Sequence, residues 1–222
     1  MKETGSTRRQ LIFATVVVNA PFLVNGYINE KLFNWPPVFW TFEVLIRVAL
    51  PVSFLVYLLR GGMRAGDIGF TVVIWGRRSL LLVGLGFLIY AFLYYWMVIA
   101  SYEIARRYLP DVAVFDYESA IPRVEPFRTL VSAYYALGAA FTEEIFSRAL
   151  LYRIATMFRR TVLIYLTVSP IVFAIGHWES GWAITVSTYV LGVFAAMIYM
   201  WMKNIWPLIV VHFVDDFVQL ST

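Results

Sequence analysis

Cysteine is absent from the 222 residues, and histidine occurs only twice. Without cysteine there are no disulfides, thiolate nucleophiles or thiolate metal sites, so any chemistry must come from oxygen and nitrogen. Charge is also scarce, at 14% of residues, against 61% hydrophobic and 18% aromatic content. A soluble domain of this length cannot bury that much apolar surface. Most charges fall between apolar runs, which is the pattern of spanning helices and not of a barrel. The expectation is an all-α, polytopic transmembrane helical bundle of about seven spans (six to eight), forming a single membrane-embedded domain over residues 1–222. The net charge of +4 is accounted for by arginines flanking the spans. The partner it names is the lipid bilayer, not nucleic acid.

A polar segment with Lys2, Arg8 and Arg9 precedes a first span over residues 11–28, interrupted by Asn19, Pro21 and Asn25. It reads as a retained helix kinked at Pro21 and not as a cleaved signal peptide. A turn at residues 34–37 leads to a second span, 38–59, in which Glu43 and Arg47 at i, i+4 read as a self-neutralising structural pair, with a substrate contact as the lesser reading. Residues 60–78 form a basic connection whose apolar piece, 68–75, is too short to span and belongs in the interface. A third span at 79–100 is followed by a proline-rich polar loop at 101–128. A long fourth helix covers 127–158, and further spans are expected at 162–177, 182–202 and 206–220. Arg and Lys gather on one side of this arrangement, which places the N-terminus in the cytoplasm and the protein in the cell membrane. No internal repeat or oligomeric state follows from the sequence.

Inside the fourth helix the stretch FTEEIFSRALLY places Glu143, Glu144 and Arg148 among residues otherwise fit for lipid. An acid at mid-bilayer costs roughly 2.5–3.5 kcal/mol even on lenient insertion scales, so such residues are functional candidates. Glu144 and Arg148 lie one helical turn apart and can pair, while Glu143 points about 100° away and is left available. The two histidines, His177 and His212, lie in apolar surroundings, with Asp216 one turn beyond His212. Counting from the turn at Arg160, Glu143 and His177 both sit ~25 Å along neighbouring helices and match in depth. The same count leaves His212 only ~13 Å from the membrane edge unless residues 204–207 are extended or their turn lies deeper. Each site also has a plain structural reading: a helix-stabilising pair at Glu144 and Arg148, a helix-end marker at His177, a packing pair at His212 and Asp216.

At these residues the chain resembles the CAAX prenyl protease and bacteriocin-processing (CPBP, or Abi) intramembrane glutamic endopeptidases. The family pattern EExxxR is present as Glu143, Glu144 and Arg148, FxxxH as Phe173 and His177, and HxxxN/D as His212 and Asp216. The resemblance places a catalytic core at about residues 127–220. It implies that Glu143 and His177 activate water, that His212 and Asp216 stabilise the oxyanion, and that Glu144, Arg148 and Phe173 support the site. The implied substrate is a membrane protein or lipidated peptide, with no cofactor and no metal. Two positions depart from the pattern: Asp216 stands where prenyl-directed members often have Asn, and Ser169 replaces a tyrosine upstream of FxxxH. Other readings are a sorting-signal or bacteriocin-leader peptidase of the same fold, a non-catalytic immunity or transport-like protein, and a zinc site, against which the absence of HExxH argues.

Overall fold

The structure is a computed structural model that describes residues 5–70, 84–85, 87–89, 91–92, 94–110, 112–115 and 117–221. Helices account for the regular structure, and no strand occurs among the described residues. Helix α1 (Gly5–Asn19) runs into a 3-10 turn (Ala20–Leu23) and then α2 (Asn25–Leu32), with a 48° bend between them. The helix tightens to 3-10 around Pro21, whose ring removes a backbone donor, and the 48° break follows three residues later, between Leu23 and Asn25 and not at Pro21 itself. Helix α3 (Pro36–Arg60) starts on two prolines, tolerated there because first-turn N–H groups have no intrahelical acceptor. Helix α4 (Ile99–Ala105) follows a π-helical turn at Tyr94–Val98.

Helix α5 occupies residues 127–155 as an α segment, a π turn at Ile145–Ala149 and a final α segment. It is followed by α6 (Thr161–Ile175), α7 (Trp182–Met202) and α8 (Trp206–Ser221). The most extensive packing is of α5 on α8 and of α6 on α7. The core joins Leu11, Ala14 and Val18 of α1 to Phe146 and Leu150 of α5 and Leu208 of α8.

About seven spans were expected, and the structure does not confirm that number. Among the described residues, two helices, α3 and α7, are long and apolar enough to cross a membrane, and the bent α1–α2 pair makes three when counted as one span. Helix α6 has 15 residues and α8 has 16, hence ~22 and ~24 Å, short of the ~30 Å hydrocarbon layer. Helix α6 ends just before the turn at His177, and α8 starts just after the turn at Lys203 and Asn204. Much of the expected third span, the interfacial piece beyond Phe70, and Arg77, Arg78, Asp111 and Asp116 lie outside the described residues.

The shallow placement of His212 is corrected by the lead-in to α8. Helix α7 stops at Lys203, whose φ of 51° turns the chain, and Ile205 is fully buried with its N–H donating to Gly69 O at 3.1 Å. Asn204 Oδ1 then accepts the Trp206 N–H, so α8 starts from a capped turn that carries His212 to the level of the two acids.

The α6–α7 pair is close because Gly192 faces Pro170. A Cβ added at Gly192 would lie 3.0 Å from Pro170 Cα and 3.4 Å from the Phe173 ring. Gly192→Leu is therefore expected to lower stability by about 1–3 kcal/mol through overpacking. Thermal unfolding of the detergent-solubilised protein checks this, and an unchanged midpoint would refute the close approach.

Candidate active site

The two adjacent acids end the first α segment of α5, where the helix widens into its π turn. This turn presents Glu143 and Glu144 to different surroundings. Glu144 and Arg148 are completely buried, with Glu144 Oε2 3.7 Å from Arg148 Nε. That distance is an electrostatic contact and exceeds hydrogen-bond length. The second partner of Glu144 is His212, whose Nδ1 lies 3.0 Å from Oε1. A carboxylate there accepts from Nδ1–H, so Glu144 sets the orientation and tautomer of His212.

Glu143 faces the other way. Its Oε2 lies 3.8 Å from His177 Nε2 and 4.0 Å from His212 Nε2. This oxygen is buried and has no hydrogen bond among the described residues. His177 stands two residues past α6, and its Nδ1 donates to Phe173 O at 2.9 Å. The His177 Nε2 lone pair is thereby turned toward Glu143. On α8, Asp216 Oδ2 lies 3.4 Å from His212 Nε2 and its side chain is 26% exposed.

Phe173 binds these parts together. Its ring lies under the Arg148 guanidinium, with 3.9 Å from Cζ to the centroid, and edge-on to His212 at 6.0 Å. Its carbonyl orients His177. The π turn carries its own support: Ser169 Oγ donates to Ser147 O at 2.5 Å, and Ser147 Oγ donates to Asn19 Oδ1 at 2.9 Å. The serine at the departure from the family pattern thus ties α6 to the acid-bearing turn.

All seven motif residues read from the sequence converge here. The sequence reading gave Glu144 a helix-holding role, and the structure adds its contact with His212, which i, i+4 arithmetic within one helix cannot reveal. A cavity of about 230 Å³ reaches Glu143, His177 and Asp216 and extends to Arg47, Tyr117 and Glu179. The sequence assigns no role to Tyr117 or Glu179, and it offers Arg47 as half of an ion pair with a substrate contact as the lesser reading, signalled by its place in an apolar span. The Glu179 carboxylate accepts the N–H groups of Gly26 at 2.5 Å and Tyr27 at 3.2 Å at the start of α2. Residue 26 must be glycine for this approach, since a Cβ would meet Glu179 Oε2 at 2.5 Å. Tyr117 Oη accepts from Asn25 Nδ2. Burial pushes its phenol up to about 12 against the pull of Arg47, so it stays neutral at ordinary pH. Among the described residues no three metal-ligating side chains gather as a metal site.

Residues 125–218 match the family described as type II CAAX prenyl endopeptidase Rce1-like. The match bears out the resemblance carried by the three motifs over this segment, which contains every motif residue. Neither the curated proteins nor the solved structures contain a match.

The different surroundings of the two acids separate their effects on stability. Glu144→Ala strands a buried guanidinium and is expected to cost about 3–5 kcal/mol. Glu143→Ala, at the cavity wall, is expected to leave the unfolding midpoint near that of the parent. Denaturation of both variants in detergent checks this, and equal losses would remove the distinction.

Proposed function

We propose that the protein is an intramembrane endopeptidase that hydrolyses a peptide bond of a membrane-associated protein or lipidated peptide. The carrying observation is the bare Glu143 Oε2 set between the Nε2 atoms of two histidines at 3.8 and 4.0 Å. Glu143 Oε2 and the unprotonated His177 Nε2 are both acceptors, and a water donating one hydrogen to each is held and polarised. The family match supports endopeptidase chemistry.

In this reading the water oxygen attacks the scissile carbonyl carbon while its proton passes to Glu143. The tetrahedral oxyanion is met by a donor from Asp216 and by Nε2–H of His212, which donates there as the imidazolium while its Nδ1–H stays on Glu144. Collapse breaks the C–N bond, Glu143 delivers the proton to the leaving nitrogen, and the products are a carboxylate and an amine. Glu144 and Arg148 hold His212 in place and do not touch substrate. No metal or cofactor takes part.

A lipid anchor has a route to this site. An apolar cleft of about 380 Å³ between α1, α5 and α6 shares Asn19 and Val172 with the small cavity that reaches Glu143 and His177. Its walls include outward-facing Val16, Val168 and Ile175, so it opens toward lipid. The excess of Arg and Lys on one side supports a cytoplasmic N-terminus in the cell membrane.

Glu143→Ala is expected to cut hydrolysis of a farnesylated peptide in proteoliposomes by at least about 10²-fold. Retention of near-parent rates would reject the assignment. Dialysis against a strong chelator should leave the rate unchanged, whereas a loss restored only by zinc would replace the carboxylate mechanism with a metal one.

Asp216 is assigned the role of donor, because Glu144 already orients His212 through Nδ1 and Asp216 stands at the other nitrogen. One oxyanion donor is worth roughly 2.7–4 kcal/mol. Asn donates at every pH, so Asp216→Asn should keep substantial activity and hold it further into alkaline buffer than the parent. A pH–rate profile lowered throughout, with no alkaline gain, would assign Asp216 to orienting the imidazole instead.

A further inference from the structure

Arg47 lies on α3, outside the three motifs, yet it lines the same cavity as Glu143, His177 and Asp216. Its side chain is 8% exposed, and only Nε is engaged, donating to Glu43 Oε2 at 2.6 Å. Glu43 has a second donor, since Asn29 Nδ2 reaches its Oε1 at 2.5 Å. Neither terminal nitrogen of Arg47 holds a hydrogen bond among the described residues. The guanidinium carbon instead sits 4.9 Å from the ring centroid of Tyr135, 5.2 Å from that of Tyr117 and 5.8 Å from that of Phe22. A planar cation walled by rings, with its fork unclaimed, suits a bidentate carboxylate.

The other acids on the cavity do not supply that carboxylate. Glu179 is held by two backbone N–H groups at the start of α2, and Glu118 is exposed at the rim. Glu143 and Asp216 face the histidines. The cavity, about 230 Å³, has room for the end of a peptide chain beside Arg47.

Building on the endopeptidase reading, we propose that Arg47 is a specificity-determining residue that binds the free C-terminal carboxylate of the substrate. The scissile bond would then be measured from the chain end. The segment between that bond and Arg47 is the short leaving peptide, and its new amine forms at Glu143.

The test measures binding apart from turnover. Glu143→Gln protein in lipid nanodiscs is titrated with a fluorescent farnesyl-cysteine tetrapeptide ending in a free acid, the same peptide as the amide, and an amide whose last residue is Glu. The free acid should bind about tenfold or more tightly than either amide, the margin of a hydrogen bond to a charged group. Adding Glu43→Gln and Arg47→Gln together, which strands no buried charge, should bring the ratio to about one, while Glu43→Gln alone should preserve it. Arg47→Lys, a milder change should the double one misfold, should give an intermediate ratio. Equal affinity of acid and amide, no saturable binding of the acid, or a preference that survives loss of Arg47 would overturn the assignment. An amidated Glu peptide binding as tightly as the acid would overturn recognition of the chain end. Failure of the parent protein to hydrolyse the acid peptide, with the binding preference intact, would count against the endopeptidase and not against Arg47.

Discussion

Two neighbouring carboxylates inside an apolar helix cannot both be left to low-dielectric surroundings, and the structure meets this constraint unequally. Glu144 is sealed in and answered by Arg148 from its own helix and by His212 from α8. Arg148 in turn needs the face of Phe173 on α6. Three helices are thereby held in register by the demands of one buried acid. Glu143, one residue earlier, is excluded from that arrangement and is left facing two imidazoles. The unequal treatment of two identical side chains produces a supported histidine and, beside it, a carboxylate oxygen with no hydrogen bond among the described residues.

The same physics appears a second time in α3. Glu43 and Arg47 repeat the acid-then-arginine spacing, and there too the arginine lies in a π-helical turn. In both places a carbonyl within the widened turn receives a hydroxyl from a neighbouring helix: Arg47 O from Thr142, and Ser147 O from Ser169. A turn with five-residue spacing loosens the regular ladder, and a buried polar backbone group then requires a partner from elsewhere. These hydroxyls fasten α3 to α5 and α5 to α6, close to the acids in each case.

Much of this was legible in the sequence. Hydropathy and proline placement located α3, α7 and the break after α1 nearly to the residue, because those features depend on local chemistry. Three spaced motifs named the seven residues that converge at the site. The number of crossings was not legible. Apolar length alone counts spans, whereas the turns at His177 and Lys203 leave α6 and α8 short. The Glu144–His212 contact was hidden because it joins residues 68 apart in sequence. Arg47 was read correctly as paired with Glu43, but nothing in an i, i+4 spacing tells which cavity its free edge enters. The π turns also escaped, since their residues carry no signal distinct from ordinary helix formers.

The broken first helix bears on more than packing. Trp178 Nε1 donates to Leu23 O at 2.7 Å, and the next residue, Glu179, grips the start of α2, so the break in the chain is stitched to the turn that carries His177. Helix α1 also forms one wall of the apolar cleft. The turn that carries His177 is thus anchored from two directions, by the bend between α1 and α2 and by the Phe173 carbonyl of α6, so a change at the bend is felt at the imidazole.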